Sequence, residues 1–597
     1  MLKATQKFRS EGTDVSMSVK GPKGHSLDHN LSNYNQVYKT FSWDNVEQEL
    51  GLSPNGKLNI AFEAIDRHVH GQLKHKKALV FSNSKEETSL SFFQLYSLTN
   101  KFANVLNDLG IRSGERVVIF MPILPEFYIS FLGAIKIGAI VVPLSTSYMS
   151  DAVMEVLRDC DVSVLITTEP LLKRINYKGI SSLRRIILVQ EIMSPEIEDR
   201  DNETGEIVHY EQLMERVSES FQVMEMNRDD PMLLLYTSGS TGKPKGVIHV
   251  HGGITHYYQT GKWVLDLHEE DIYWCTSEPS WVTGISYGIW APLLLGVTSV
   301  IYDGEFEAEK WYEILANYKV NVWYTTPTAL RQLMNYGHSN PSQHYALGGL
   351  RHILSVGEPL NPMVIRWSNQ AFGQQVYDTW WMTETGGQLI CNFRCLPIKQ
   401  GSMGRPIPGI YAAIINKSGQ ELPPLEVGQL AIKVGWPAMM SGIWKDQAKF
   451  NEYFCIPPWY LTGDLAYRDN EGYFWFQGRV DDVIKKAGER IGPFEVENKL
   501  IEHQAVLEAG VIGKLDPLWG EVIKAFIVLR PGFQLSNELK IELQEFIKDR
   551  LGLHLVPSEI EACKALPRTR SGKILRRVLK SMELGLPYED ISLTDDD

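Results

Sequence analysis

Apolar and polar positions follow two alternating periods along the first half of the chain. RVVIFM (116–121), IVVPL (140–144) and SVLITT (163–168) are continuous apolar runs typical of buried strands. Between the first two, PEFYISFLGAIKIGA (125–139) has apolar residues at helical spacing behind a proline, and a further helix is predicted from Ser150. Strands that alternate with helices predict a parallel sheet covered by helices.

The same alternation returns between about 230 and 390, and the pattern changes after Gly401. The stretch 279–302 carries no formal charge, but Pro292 and three glycines interrupt it. It is therefore interpreted as a buried helix followed by a core strand rather than as a membrane span. Short β-like segments after Gly401 predict a small barrel or sheet, and helix and strand patterns resume past about 480.

A chain of 597 residues exceeds what one hydrophobic core usually organises. The patterns predict an α/β protein whose large N-terminal domain holds two α/β sheets and a small β-barrel-like part. A small mobile α+β domain is predicted to follow it. The expected boundaries are a polar N-terminal extension (1–50), the large domain (51–480) and the C-terminal domain (481–597). An acidic stretch at 195–206 predicts a surface loop.

Charge and composition narrow the class of partner. Lys and Arg number 59 against 72 Asp and Glu, so the formal net charge is −13. An acidic chain repels phosphate backbones, and no nucleic-acid or membrane partner is expected. The first thirty residues lack the apolar run of a signal peptide, which predicts a cytoplasmic protein. The sequence gives no indication of oligomeric state. Cys391 and Cys395 are interpreted as reduced thiols rather than zinc ligands.

The strongest chemical signal is PMLLLYTSGSTGKPKGVIHVH (231–251). An apolar run predicts a strand, and glycines and hydroxyl residues follow it before Lys243 and Lys245. Glycine lets backbone N–H groups crowd around phosphate oxygens, hydroxyls add donors and lysines supply positive charge. Pro244 breaks the spacing of a Walker loop. A flexible Gly/Ser linker is the alternative, which the preceding strand and the two lysines disfavour.

YTSGSTGKPKG resembles the phosphate-loop signature of the adenylate-forming superfamily, which includes acyl-CoA synthetases, luciferases and peptide-synthetase adenylation domains. Its companion motifs occur in the family's order, so the resemblance covers about 50 to 580. They are YDTWWMTETGG (377–387), GRPIPG (404–409), YLTGD (460–464), GRVDDVIKKAGERIGPFEVE (478–497) and PRTRSGK (567–573). SEPSWVTGISYG, SVGEPLNP and DTWW resemble the acetyl-CoA synthetase branch.

The resemblance implies an ATP-dependent acid–thiol ligase that forms acetyl-CoA through an acyl-adenylate, with ATP, Mg²⁺ and coenzyme A. It makes Lys573, Glu384 and Thr383 catalytic, Glu384 a magnesium ligand, and Asp481 the hinge of a rotating C-terminal domain. Gly488 and Arg490 would meet coenzyme A. The residues that it assigns to ATP or AMP are Thr237, Ser238, Gly239, Ser240, Thr241, Gly242, Lys245, Gly357, Glu358, Pro359, Asp378, Thr379, Trp380, Trp381, Met382, Thr383, Asp464, Arg479 and Arg490.

The same resemblance places a pocket for a short-chain carboxylic acid around Trp381, whose bulk matches acetate and propionate activators. The residues that it assigns to this pocket are Trp281, Val282, Thr283, Val356 and Trp381. Met382 stands where many members have Gln, and AGER replaces a Ser-Gly-His-Arg type. Propionate or a branched short acid therefore stays open as the substrate, as does a role for Trp381 in the core alone.

Other interpretations remain for single residues. Asp464 is also compatible with an ordinary turn, and the basic tract around Lys573 with a solvated charged face. Glu384 lacks the Ser or Thr three residues earlier that a capping box needs. His249, His251 and His256 are interpreted as structural rather than metal ligands. A lysine acyltransferase or deacylase acting on Lys573 is a possible partner, since acylation removes the positive charge.

Two rival functions are weighed against this one. The first is another ligase of the superfamily, acting on a different acid or acceptor. The second is a non-catalytic nucleotide-binding protein on the same fold, which the retention of Lys573, Glu384 and Asp464 disfavours.

Overall fold

The computed structural model describes residues 29–53, 56–82, 87–190, 207–238, 244–336, 341–480, 482–486, 489–516, 519–568 and 574–585. Its strands are, in chain order, β1 (Lys77–Ser82), β2 (Glu87–Ser91), β3 (Arg116–Phe120), β4 (Ile140–Leu144), β5 (Val162–Thr168), β6 (Arg185–Val189), β7 (Ile207–His209), β8 (Pro231–Ser238), β9 (Pro244–Val250), β10 (Ile272–Cys275), β11 (Thr298–Tyr302), β12 (Val322–Thr325), β13 (His352–Val356), β14 (Val376–Trp380), β15 (Ile390–Cys391), β16 (Arg405–Pro406), β17 (Ala412–Ile415), β18 (Gly428–Lys433), β19 (Gly442–Ile443), β20 (Trp459–Arg468), β21 (Phe474–Arg479), β22 (Ile484–Lys486), β23 (Glu489–Ile491), β24 (Val506–Asp516), β25 (Gly520–Leu529) and β26 (Glu559–Ala562).

The α-helices are α1 (Tyr34–Thr40), α2 (Trp43–Glu49), α3 (Arg67–Val69), α4 (Phe92–Asp108), α5 (Pro125–Lys136), α6 (Ser150–Asp159), α7 (Glu169–Leu172), α8 (Tyr210–Arg216), α9 (Ile254–Trp263), α10 (Val282–Ile285), α11 (Ala291–Leu294), α12 (Ala308–Asn317), α13 (Pro327–Tyr336), α14 (Pro362–Phe372), α15 (Gln447–Glu452), α16 (Pro493–Ile501), α17 (Asn537–Leu551) and α18 (Arg576–Leu584). A π-helical segment, Ser286–Trp290, joins α10 to α11.

The N-terminal domain contains two large sheets. One has nine strands in the order β16-β15-β14-β13-β12-β10-β11-β1-β2, and the other has eight in the order β19-β9-β8-β4-β3-β5-β6-β7. Strands β10 to β14 pair with one another in parallel, and so do strands β3 to β7. Helices connect β10 through β14 and β3 through β6, as parallel pairing requires. The predicted βαβ rhythm is confirmed in β3, α5, β4, α6 and β5.

Helix α5 shows where the core of this domain sits. Each of its residues from Phe127 to Lys136 is buried, so the helix is covered on all sides. An amphipathic surface helix would instead have one polar, solvent-facing side. The buried Lys136 ammonium is 2.7 Å from a carboxylate oxygen of Asp66 and 2.7 Å from the amide oxygen of Asn100.

The segment predicted as a polar extension packs on this core where it is described. Helices α1 and α2 bury Tyr34 and Val46 in the same apolar cluster as both large sheets. The Tyr34 hydroxyl donates a hydrogen bond to the carbonyl of Pro406 at 2.6 Å. The predicted loop at 195–206 lies outside the described residues.

The fold class predicted from the sequence is confirmed. The β-like segments after Gly401 form a four-stranded antiparallel sheet, β17-β18-β20-β21. A five-stranded sheet, β23-β22-β25-β24 with β26 beside β25, follows it. Helices α16 and α17 cover this last sheet with an apolar cluster of its own. The stretch 279–302 folds as a buried helical segment followed by β11, as predicted.

Candidate active site

The predicted site residues gather where neighbouring strands end. Strands β13 and β14 are parallel, and the residues after their carboxyl ends are Gly357 and Trp381. Strands β8 and β9 pair antiparallel with Thr237 opposite Lys245. The carboxyl edge of a parallel sheet is where ligands bind in open α/β folds. The arrangement therefore places several of the motifs at the ends of neighbouring strands.

Lys245 and Glu384 join two of these motifs. The Lys245 ammonium lies 2.5 Å from Oε1 of Glu384, although 139 positions separate them. Burial alone would raise the pKa of Glu384, but the ammonium lowers it below its ordinary value. Burial alone would lower the pKa of Lys245, and the carboxylate raises it instead. Both groups are therefore charged at neutral pH.

Glu384 sits in a tight 3-10 turn, Thr383–Thr385, directly after β14 and Met382. Gly386 closes the turn with φ +70°, and a Cβ there would lie 2.0 Å from the Ala438 carbonyl oxygen. Only glycine fits that backbone position. The Tyr460 hydroxyl lies 3.1 Å from the sulfur of Met382, which holds the start of the turn.

Asp464 and Arg479, which the resemblance assigns to the nucleotide, form an ion pair. They lie directly opposite each other on β20 and β21, and the guanidinium is 3.1 Å from Oδ1 of Asp464. The indole N–H of Trp380 donates to Oδ2 of the same carboxylate at 2.9 Å. Residues of three separate motifs thus meet on one buried carboxylate, an acceptor-only group of the kind that can bind two hydroxyls.

The residues predicted to frame adenine lie on and after β13 and β14. Gly357 has φ +91°, and Glu358 beside it pairs with Arg331 at 2.7 Å. Asp378 is buried, and its Oδ1 accepts from the Ser355 hydroxyl at 3.1 Å. Burial raises the pKa of Asp378 to about 7. Pro359 and Thr379 complete the predicted frame, with Thr379 buried.

The predicted acyl pocket has an aromatic wall. Trp381 is buried, and its ring meets that of Tyr287 edge-on at 5.1 Å. Its indole N–H donates to the Tyr324 hydroxyl at 3.1 Å, and that hydroxyl also accepts from Gln388 at 3.1 Å. Trp381 is therefore fixed in one orientation. The other predicted pocket residues are Trp281, Val282 and Thr283, at the start of α10, and Val356, the buried last residue of β13.

Several predicted site residues lie outside the described part of the chain. They are Gly239, Ser240, Thr241, Gly242, Asp481, Gly488 and Lys573. For two more, only the backbone is placed: Ser238 is the last residue of β8, and Arg490 belongs to β23.

The residues that flank the segment containing Lys573 are described. Arg568 and Ile574 pair as an isolated antiparallel bridge, so the two ends of that segment lie together. Arg568 also comes within 4.0 Å of Glu358 in the N-terminal domain. The ends of the segment therefore lie at the predicted adenine frame.

The three histidines after β8 are all buried, and burial lowers the pKa of each to about 4. His256 bonds to the carbonyl of Gln388 at 2.9 Å, and His251 accepts from the N–H of Ile60 at 3.3 Å. Within the described ranges, no group of three His, Cys, Asp or Glu is placed to hold a metal ion. Cys391 and Cys395 are both free thiols.

Sequence reasoning missed three residues of this region. Tyr453 contacts the Lys245–Glu384 pair, while Tyr324 and Gln388 hold Trp381. Tyr324 lies at the end of an apolar strand and Tyr453 just after a six-residue helix, so neither belongs to a recognisable motif. Gln388 follows the YDTWWMTETGG motif directly, and its position there was the only available signal.

A large α/β body followed by a small α+β domain is the fold of adenylate-forming enzymes. A family model described as "AMP-binding enzyme" matches residues 65–444, and "AMP-binding enzyme C-terminal domain" matches 495–573. The chain belongs to the AMP-binding enzyme family, which confirms the family predicted from the sequence.

Two curated relatives illustrate the similarity. The acetyl-coenzyme A synthetase of Bacillus subtilis is 51% identical over 581 residues, covering 97% of this chain and 100% of the relative. That of Methanothrix thermoacetophila is 38% identical over 564 residues, covering 90% of this chain and 85% of the relative.

Solved structures share the fold along nearly the whole chain. An acyl-CoA synthetase from Brucella canis has a TM-score of 0.72 and 31% identity, covering 93% of this chain and 99% of that one. An anthranilate CoA ligase in complex with anthranoyl-AMP has a TM-score of 0.79 and 27% identity, covering 91% and 99%. In the described part of this chain, no helix combines the length and apolar character needed to cross a bilayer.

Proposed function

We propose that this protein is an AMP-forming acetate–CoA ligase, which converts acetate, ATP and coenzyme A into acetyl-CoA, AMP and diphosphate. The observation that carries the choice of acid is the anchored Trp381, which would close an acyl pocket beside the Thr383–Thr385 turn. A rigid indole at that position leaves room for a very small acyl group. The acetyl-coenzyme A synthetases among the relatives support the same assignment.

In the first half-reaction, a carboxylate oxygen of acetate attacks the α-phosphorus of ATP, and diphosphate leaves. Negative charge spreads over the phosphoryl oxygens in the transition state, so donors and cations must be in place beforehand. Lys245 is suited to the β- and γ-phosphates, since it follows the Gly- and hydroxyl-rich loop. Lys573 would reach both the acetate carboxylate and the α-phosphate from the C-terminal domain, and Thr383 would donate to the α-phosphate.

Glu384 fits a magnesium site. Its carboxylate is buried and charged, and its charge is balanced by a lysine ammonium. A hard cation that keeps several waters is commonly held by one or two carboxylates together with substrate phosphates. Mg²⁺ bound there would neutralise charge on the leaving diphosphate.

The nucleoside would be held by contacts that are already ordered. Asp464 would accept hydrogen bonds from the ribose hydroxyls, while Trp380 and Arg479 keep its carboxylate in position. Gly357, Glu358, Pro359, Asp378, Thr379 and Met382 would surround the base and the α-phosphate.

In the second half-reaction the coenzyme A thiol attacks the acyl carbonyl, and AMP leaves. Lys573 would first have to withdraw, so the C-terminal domain (481–597) would rotate about Asp481. Rotation would bring Gly488 and Arg490 to the acyl-adenylate, where a glycine backbone gives the pantetheine arm a close approach.

The substrate range follows from pocket volume. One methylene is worth about 1–3 kcal/mol in an apolar pocket, so propionate should be a poorer substrate and longer acids should be excluded by Trp381. A cytosolic enzyme whose Lys573 is controlled by a lysine acyltransferase and deacylase is consistent with this chemistry, because acylation removes the catalytic charge.

The test is diphosphate exchange into ATP and acyl-CoA formation with C2 to C6 acids. We expect exchange with acetate that needs Mg²⁺ but no coenzyme A, and acetyl-CoA only when coenzyme A is added. Exchange with no acid of the panel would overturn the proposal and favour a nucleotide-binding role. A strong preference for a longer acid would overturn acetate as the substrate.

A further inference from the structure

Tyr453 lies at the junction of the two charged groups of the site. Its hydroxyl contacts the Lys245 ammonium and lies 3.2 Å from Oε1 of Glu384. The Lys245 ammonium is also 5.0 Å from the centre of the tyrosine ring. A phenol, an ammonium and a carboxylate thus form a closed triangle of contacts. A phenolic oxygen can accept from the ammonium while its own O–H donates to the carboxylate.

The ring of Tyr453 is held firmly. It stacks on the buried ring of Tyr460 at 5.6 Å with an interplanar angle of 12°. Tyr453 follows α15, a helix whose first turn is capped by the side chain of Asp446. Phe454, the next residue, packs against the same Tyr460 ring. The hydroxyl is therefore presented at a fixed point rather than on a mobile side chain.

The charged pair has to change partners when ATP binds. Lys245 now neutralises Glu384, but ATP offers the ammonium the more highly charged β- and γ-phosphates. A buried carboxylate that loses a cation partner is strongly destabilised unless another donor remains. Tyr453 donates to Glu384 without carrying a charge itself, so it can stay in place while the ammonium moves.

We propose that Tyr453 is a positioning residue for ATP, whose hydroxyl keeps the Lys245 ammonium beside the phosphate loop and steadies the Glu384 carboxylate as the ammonium turns to the phosphates. The inference rests on the roles that the proposed function gives to Lys245 and Glu384. Because the inference concerns ATP binding and not the choice of acid, its test can fail while the proposed acetate–CoA ligase activity is found, and the reverse.

The test replaces the hydroxyl and keeps the ring. Tyr453→Phe retains the stacking on Tyr460, and we expect it to weaken ATP binding about tenfold, as the loss of hydrogen bonds to charged groups does. Binding is measured by titration calorimetry with ATP, with and without Mg²⁺, in the absence of acid and coenzyme A. In turnover, the KM for ATP should rise by a similar factor, while the KM for acetate stays unchanged.

Tyr473→Phe is the matched control. Its ring also lies under a lysine, with Lys399 at 4.8 Å, and its hydroxyl also makes a hydrogen bond, to the carbonyl of Pro397 at 2.7 Å. It lies outside the predicted nucleotide contacts, so ATP binding should equal that of the wild type.

A double-mutant cycle with Lys245→Met separates positioning from a structural effect. Because Tyr453 acts partly through Lys245 and partly through Glu384, adding Tyr453→Phe to Lys245→Met should weaken ATP binding by clearly less than tenfold. Tyr453→Phe binding ATP as tightly as Tyr473→Phe would overturn the inference. So would a full tenfold loss in the Lys245→Met background. A wild type that binds ATP but forms no acyl-CoA would count against the proposed function alone.

Discussion

Arg568 of the C-terminal domain lies 4.0 Å from the Glu358 carboxylate of the N-terminal domain, and its other terminal nitrogen lies 3.1 Å from Glu508. This contact joins the two domains at the predicted adenine frame. It holds the ends of the segment that contains Lys573 on the nucleotide side. The arrangement suits the first half-reaction of the proposed function, in which Lys573 would face ATP.

Arg568→Gln should therefore slow adenylation selectively. The guanidinium is mostly covered but still reached by solvent, so the expected effect is about fivefold, corresponding to about 1 kcal/mol. The readout is diphosphate exchange, compared with acetyl-CoA formation from supplied acetyl-adenylate. Arg530→Gln is the control, because Arg530 also reaches across the domains but meets the neutral Asn335 at 3.4 Å. Equal losses in both half-reactions would contradict this prediction.

Lys573→Ala should lower kcat for adenylation by about 10²- to 10³-fold, or about 2.7–4 kcal/mol, as the loss of a preorganised donor does. Thioester formation from supplied acetyl-adenylate should be spared. Stopped-flow detection of diphosphate measures the first step, and the loss of free coenzyme A thiol measures the second. Lys564→Ala removes an equal charge from an exposed position of the same domain and should leave both rates intact.

Trp381→Gly should extend the range of accepted acids. Removing the indole opens space between Tyr287 and Tyr324, so kcat/KM for butyrate and pentanoate should rise at least about tenfold while that for acetate falls. The cavity should also cost about 3–5 kcal/mol of stability, which thermal unfolding will show. An unchanged order of preference among C2 to C6 acids would remove Trp381 from the pocket.

The neighbouring tryptophan provides a contrast. Trp380 donates to Asp464 rather than to Tyr324, so Trp380→Phe should raise the KM for ATP and leave the chain-length profile unchanged. A changed acid preference in this variant would contradict the assignment of Trp380 to the nucleotide and Trp381 to the acid.

Asp378 should make stability depend on pH in a defined direction. Burial raises its pKa to about 7, whereas an unfolded aspartate titrates near 3.9, so between these values the folded chain retains a proton that the unfolded chain has lost. The group therefore reduces stability as pH rises from about 4 to 7, by up to about 4 kcal/mol.

Asp378→Asn removes that titration. Relative to the wild type, the variant should gain stability steadily between pH 4 and pH 7 and no further above it. Urea unfolding of the N-terminal domain across this range measures the difference. A constant difference between the two proteins at every pH would contradict the raised pKa.

The sequence alone predicts those helices and strands whose apolar residues recur at regular spacing or form a continuous run. Strand β3, helix α5 and strand β4 follow directly from apolar runs and helical spacing. The sequence predicts a polar extension where helices α1 and α2 lie, because most of their residues are polar. These helices have few apolar residues, among them Tyr34, Val37 and Val46. Tyr34 and Val46 are nevertheless buried in the core.

Candidate site residues could be predicted where they belong to a recognisable sequence motif. The resemblance assigned Lys245 and Glu384 to one nucleotide, and the two groups meet at 2.5 Å. Tyr453 and Tyr324 could not be found in this way, because they act through contacts with residues far away in the chain. A phenol in an apolar run or after a short helix has no local pattern that distinguishes it from core packing.

A last consequence comes from the place where helix α16 meets strand β21. A Cβ on Gly492 would lie 1.9 Å from the carbonyl oxygen of Gln477, so the two domains touch there main chain against main chain. Beside this contact, the Phe494 ring of α16 packs edge-on against the Phe476 ring of β21 at 5.5 Å, so main chain and side chains of the two domains meet within a few residues. One added methyl group at that position would not fit the domain arrangement described here, so under the proposed rotation Gly492→Ala should disfavour the arrangement that serves the first half-reaction.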